Sequence, residues 1–191
     1  MKKILIIFLF LVNFPCNAEN IQIYTLVKVN NSIITNIDLE KEIEVLKILN
    51  SNLATQKIDI KKLALNNLIN ENLKKTEIQK NNVKIEEKNI FNHHTKLLES
   101  LKNNNIKTSK KLENLIYSKI KLEYEWNELV ANKYAWQINI NMQEIQKKLG
   151  DNKTPEDMQS LINIEKNKKL NVYSNNHLEN LKKNSLIKFY K

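Results

Sequence analysis

Two adjacent histidines, His93 and His94, come nearest to a metal site in this chain. Neighbours on a helix point about 100° apart, so the pair cannot face one ion together. His177 lies far along the chain, and a solvated pair is the expectation. Glu86-Glu87 and Glu156-Asp157 suggest acid–base work, but both sit where helices are expected to start, and the positive end of the helix dipole accounts for them. None of the eight serines has the flanking glycines of a nucleophile elbow. Gly150 is the single glycine, which excludes a phosphate-cradling loop. The residue types therefore point away from catalysis: no catalytic residue, no metal and no cofactor are expected.

A different kind of chemistry is suggested between Leu112 and Trp136. Leu112, Leu115, Leu122, Trp126, Leu129 and Trp136 fall on one side of a helix, and Tyr117, Ile120, Tyr124 and Ala131 on the other. A helix apolar on two faces is either buried on both or keeps one face for a partner. Tyrosine suits partner contact, with a large apolar ring and a polar tip.

The elements that would position these residues are mostly helical. Val27 to Thr35 reads as two short strands about an Asn30-Asn31 turn, since Asn tolerates positive φ. Thr35 with Asp38 resembles a capping box opening a first helix that ends near Asn50-Ser51-Asn52. Asp59 caps a second helix, stopped at Asn81-Asn82. A third carries Ile90, Leu97, Leu98 and Leu101 on one side and breaks at Asn103-Asn104-Asn105. Thr108 or Ser109 caps the fourth, Asn141 with Glu144 a short fifth, and Gly150 is its expected stop. Thr154, with Pro155 at the first helical position, opens the last helix. Leu186 to Tyr190 is a terminal strand, expected to pair with the opening one in a small sheet.

The chain is strongly basic, with 31 basic residues against 21 acidic ones and a net charge of +10. Every basic residue is lysine, which argues against specific nucleic-acid recognition, where the planar Arg fork is favoured. The lysines are spread along the chain, consistent with a solvated surface and weak attraction to anionic lipid headgroups. Lys2 and Lys3, the apolar run Ile4 to Phe14, and Cys16-Asn17-Ala18 read as a cleavable signal peptide over residues 1–18, with Glu19 the expected first mature residue and an uncleaved inner-membrane anchor the alternative. Cys16 is the only cysteine, so the exported chain relies on packing rather than disulfides.

In their order these segments resemble the SurA family of periplasmic chaperones. Residues 23–49 are similar to its opening hairpin and first helix, and Leu65 to Ile85 to the helix that follows. Glu125-Trp126-Asn127-Glu128-Leu129-Val130 and Ile140-Asn141-Met142-Gln143-Glu144-Ile145 resemble two further family segments. Lys169-Leu170, Leu178, Leu181 and Asn184 to Lys188 resemble the closing helix and strand. Family members usually carry parvulin prolyl isomerase domains between the last two helices. Here only Gly150 to Lys153 lies between them, and a domain does not fit. Glu86 also stands where the family has a capping Ser.

The resemblance implies a mainly α fold: a SurA-like helical core with a small sheet joining the N- and C-terminal strands. Residues 19–150 would form the helical domain, and residues 151–191 a helix and strand packing back on it. It implies an ATP-independent periplasmic holdase for unfolded outer-membrane proteins, without isomerase activity. Tyr117, Ile120 and Tyr124 would border the client surface. The alternative is a periplasmic adaptor or assembly subunit with one defined protein partner; an accessory supplying substrate to a separate isomerase is a third reading.

Overall fold

Asn30 turns the chain back on itself with a φ of 51°, joining strands β1 (Thr25–Val29) and β2 (Ser32–Thr35) as an antiparallel hairpin. The computed structural model describes residues 22–50, 59–149 and 154–190. The expected signal peptide with Cys16, the helix end at Ser51-Asn52 and the stop at Gly150 lie outside these residues. A third strand, β3 (Ile187–Phe189), pairs antiparallel with the other side of β1, giving the order β2-β1-β3. The two ends of the described chain thus meet in one sheet, as the patterning predicts.

Asn30 does more than turn. Its backbone N–H donates to the Leu186 carbonyl at 2.8 Å, and its Oδ1 accepts from Leu186 N–H at 2.9 Å. Its side-chain amide donates to Ser185 Oγ at 3.1 Å. One turn residue therefore clasps the segment leading into β3.

The rest is helical. Of the described residues 75% are helical, with a small three-stranded sheet. Helix α1 (Asn36–Leu49) opens with the expected box: Thr35 Oγ1 accepts from Asp38 N–H, and Asp38 accepts from Thr35 N–H at 3.0 Å. Asp59 caps α2 (Ile60–Asn81), which ends at Asn82 in the left-handed conformation, φ 47°. Glu86 precedes α3 (Glu87–Asn103) without a side-chain cap bond. Ser109 caps α4 (Lys110–Tyr134), which passes through one 3-10 turn, Ala135–Gln137. Asn141 Oδ1 accepts from the N–H groups of Gln143 and Glu144 to start α5 (Met142–Leu149). Thr154 and Asp157 form a second box, with Pro155 opening α6 (Pro155–Lys183).

Helix α4 is the axis, and both its apolar faces are covered. On one side Leu112, Ile116 and Ile120 pack with Val45 of α1 and Ile90 and Leu101 of α3. On the other, Leu122, Trp126, Leu129 and Val130 pack with Ile78 of α2 and reach Leu170, Tyr173, Leu178 and Leu181 of α6. Val27, Val29 and Ile34, on the inner sheet face, lie on Ile69 and Leu73 of α2. Each fully buried aliphatic side chain contributes about 1.5–3 kcal/mol. Burial on both faces is thus the outcome for α4. No helix among the described residues is long and apolar enough to cross a membrane.

Candidate functional site

Tyr117, Ile120 and Tyr124 do not form the open stripe that their spacing suggests, because α3 lies over them. Ile120 is only 9% exposed and belongs to the core with Ile116 and Ile90, so it borders no surface. Tyr117 and Tyr124 are half-buried against that cluster. The roof is built from the two histidines. His94 meets Tyr117 edge-on at 5.3 Å between centroids, and His93 meets Tyr124 at 5.9 Å. His94 Nε2 lies 3.0 Å from the Glu113 carbonyl, which only accepts, so Nε2 carries the proton. The expected solvated pair is therefore half correct: His93 is exposed, while His94 is tied to α4.

Open space remains at each end of the α3–α4 seam. A cleft of about 710 Å³ is lined by Leu98, Lys102, Ile106, Thr108 and Glu113 among others. At the opposite end, about 460 Å³ is bordered by Lys84, Ile85, Glu86, Asn89, Tyr124 and Glu128. Of the three residues singled out in the sequence, Tyr124 is the one that lines this second cleft.

Two polar clusters went unpredicted. In the first, His177 of α6 is buried, with Nδ1 3.0 Å from Tyr134 Oη and Nε2 3.2 Å from Glu77 Oε1. Its ring stacks on Trp126 at 5.5 Å, and the Trp126 indole N–H donates to Ser174 Oγ at 2.8 Å. Lys133 donates to Glu77 at 3.3 Å. Burial, helped by the nearby Lys133 charge, pushes the His177 imidazole below its ordinary range despite the Glu77 carboxylate. Burial alone would raise Glu77, but hydrogen bonds and charge from Lys133 and His177 outweigh it and hold the carboxyl below its usual value. The neutral ring then accepts from Tyr134 and donates to ionised Glu77. Both nitrogens are used inside the protein, so the arrangement ties α6 to α2 and α4.

In the second cluster, Lys119 of α4 pairs with Glu42 of α1 and Glu71 of α2. Glu42 also accepts from Asn67 at 3.2 Å. Burial works to lower the Lys119 ammonium, but the two carboxylates prevail and raise it. It stays charged, as an internal tie rather than a nucleophile. No group of three or more metal-ligating side chains that could hold an ion occurs among the described residues.

The stretch past α4 is different. Tyr134 stacks on Tyr173, Lys169 reaches the Asn139 carbonyl, and Lys148 pairs with Glu165 at 3.0 Å, so this stretch runs back along α6. On this limb Trp136 is 79% exposed and Val172 58%, with Ile164 and Met142 also exposed. Trp136 was expected to continue the buried stripe of α4. It falls instead on the 3-10 turn beyond the helix, where the helical period no longer aims it inward. Its indole N–H donates to the Lys133 carbonyl at 2.9 Å.

Neither a family model nor a curated protein matches this chain.

Proposed function

We propose that this chain is an exported, ATP-independent holdase of the SurA kind, lacking isomerase activity, that keeps unfolded outer-membrane proteins from aggregating in the periplasm. The observation that carries this reading is Trp136. A tryptophan usually needs a partner for its N–H, and here that need is met within its own turn. What remains is a large apolar ring presented to water, on a limb that also exposes Met142, Ile164 and Val172. Exposed apolar side chains are what client contact needs, and this limb supplies four of them. Several weak contacts suit a holdase, which lowers the free concentration of the unfolded client by mass action and still releases it. The basic surface favours clients with acidic segments. The basic, apolar and small-residue order of the N-terminal segment supports export.

The test uses two unrelated barrel proteins diluted from urea, with aggregation followed by light scattering. Equimolar full chain suppresses aggregation of both, and Trp136→Ser loses most of the suppression while keeping its melting temperature. Protection of neither, with a single folded partner co-purifying, would replace the holdase by the adaptor reading.

A further inference from the structure

Among the described residues, no strand pairs with the outer edge of β3. Leu186 and Tyr190 bond toward β1, through Asn30 N–H to Leu186 O at 2.8 Å and Tyr190 N–H to Leu26 O at 2.9 Å. Lys188 lies between them, opposite Lys28. In an antiparallel ladder bonding alternates from residue to residue. The N–H and C=O groups of Ile187 and Phe189 therefore point away from β1, and no strand lies on that side among the described residues. Phe189 shares the inner sheet face with Val27, yet it overhangs the edge and is 62% exposed.

Charge decides what fits this edge. Lys28 and Lys188 are direct cross-strand neighbours on the outer face; Lys188 lies over the Tyr190 ring at 5.1 Å, and neither lysine has an acidic partner among the described residues. Like charges in that position are destabilising. A second copy pairing through both outward residues, Ile187 opposite Phe189, would place Lys188 opposite the second copy's Lys188, adding two more lysines to the same row. Edge lysines of this kind block self-pairing. An acidic side chain at the same place would be opposed by two cations instead.

We propose that the β3 edge binds extended polypeptide by strand addition, selecting a segment that alternates apolar residues with acidic ones. The added strand bonds to the outward amides of Ile187 and Phe189, lays an apolar residue against the Phe189 ring, and sets a carboxylate beside Lys188. Backbone bonds supply affinity and the alternating side chains supply selection. The inference deepens the holdase reading and rests on it for the source of such segments, since strands of barrel proteins alternate apolar with polar residues, and those with acidic polar positions would fit this edge.

The probe is a fluorescein-labelled octapeptide alternating phenylalanine or valine with aspartate, and binding to the full chain is read by anisotropy. The same peptide with lysine in place of aspartate binds at least tenfold more weakly. Lys188→Glu, which leaves Lys28 paired with a carboxylate, abolishes that preference. Phe189→Pro, which removes an outward N–H while leaving the bonds of Lys188 to β1 available, weakens binding of the acidic peptide at least tenfold. N-methylation of alternate peptide amides has the same effect. Equal binding of both peptides, or indifference to both substitutions, overturns the inference. So does a dimer of the full chain in sedimentation that Phe189→Pro dissociates, because the edge then belongs to a second copy. Protection of barrel proteins without peptide binding removes the edge and leaves the holdase; peptide binding without protection does the reverse.

Discussion

Trp126 and Trp136 lie ten residues apart on the same stretch of chain, and the protein uses them in opposite ways. Trp126 is 1% exposed; its N–H reaches Ser174 on α6, and His177 stacks on its ring. Trp136 is 79% exposed, and its N–H goes to Lys133, three residues back. Both indoles have a satisfied donor. The difference lies in the distance along the chain to the partner. A bond to another helix makes the ring part of what holds α6 in place, whereas a bond to its own turn fixes the ring without tying it to anything else.

The largest expected effect breaks the first half of this contrast. Trp126→Ala empties a site between α2, α4 and α6 and leaves Ser174 without its donor. Large-to-small changes of this size cost about 3–5 kcal/mol. Urea denaturation followed by circular dichroism should show the loss; a cost under about 1 kcal/mol would mean that α6 is held mainly by the sheet. Next come Tyr117→Ser and Tyr124→Ser. As half-buried rings with edge-on histidine partners, each costs about 1–2 kcal/mol. Unchanged melting temperatures would instead restore them to the free surface that their spacing suggests.

Those tyrosines show what was legible in the sequence and what was not. The Thr35–Asp38 capping box, the helix stop at Asn82 and the terminal strands themselves could be read directly, because each depends on residues close in sequence or on period-2 alternation; that the terminal strands pair was inferred from their places at the two ends of a helical chain. The two-faced character of α4 was visible too. Whether either face stayed open was not, since that depends on where α3 and α6 land. The Glu77–His177–Tyr134 network was hidden for a related reason: its members are brought together across 43 and 100 residues by helix packing. A lone histidine on an apolar helix face, beside Tyr173 and Leu178, was the signal available. Trp136 was misread because helical spacing was continued past Tyr134, where the helix stops. The clasp by Asn30 was half legible: its positive φ followed from residue type, and its bonds to Ser185 and Leu186 did not.

A smaller effect is carried by pH. His177 is held below its ordinary value of 6.5 chiefly by burial, with Lys133 adding to the shift and Glu77 opposing it. The unfolded chain therefore takes up the proton first as pH falls, and stability declines from about pH 6.5 downward. Glu77, also held low, adds a second loss as pH falls below its ordinary 4.5. His177→Phe keeps a ring against Trp126 but does not titrate. Its urea midpoint should stay level between about pH 7.5 and about pH 5.5, while that of the unmodified chain falls. Parallel declines would assign the acid sensitivity to other groups.

The smallest effect on stability completes the contrast. Trp136→Ala removes a ring with little buried surface, and the Lys133 carbonyl it releases sits at a helix end open to water. The change should stay within about 0.5 kcal/mol, the range of ordinary surface substitutions. Paired with Trp126→Ala in the same denaturation series, it separates the two roles cleanly, because one substitution lowers the midpoint and the other leaves it in place. A substantial loss at Trp136 would mean that its ring packs on the limb in solution, and exposure could then no longer serve as the basis for client contact there.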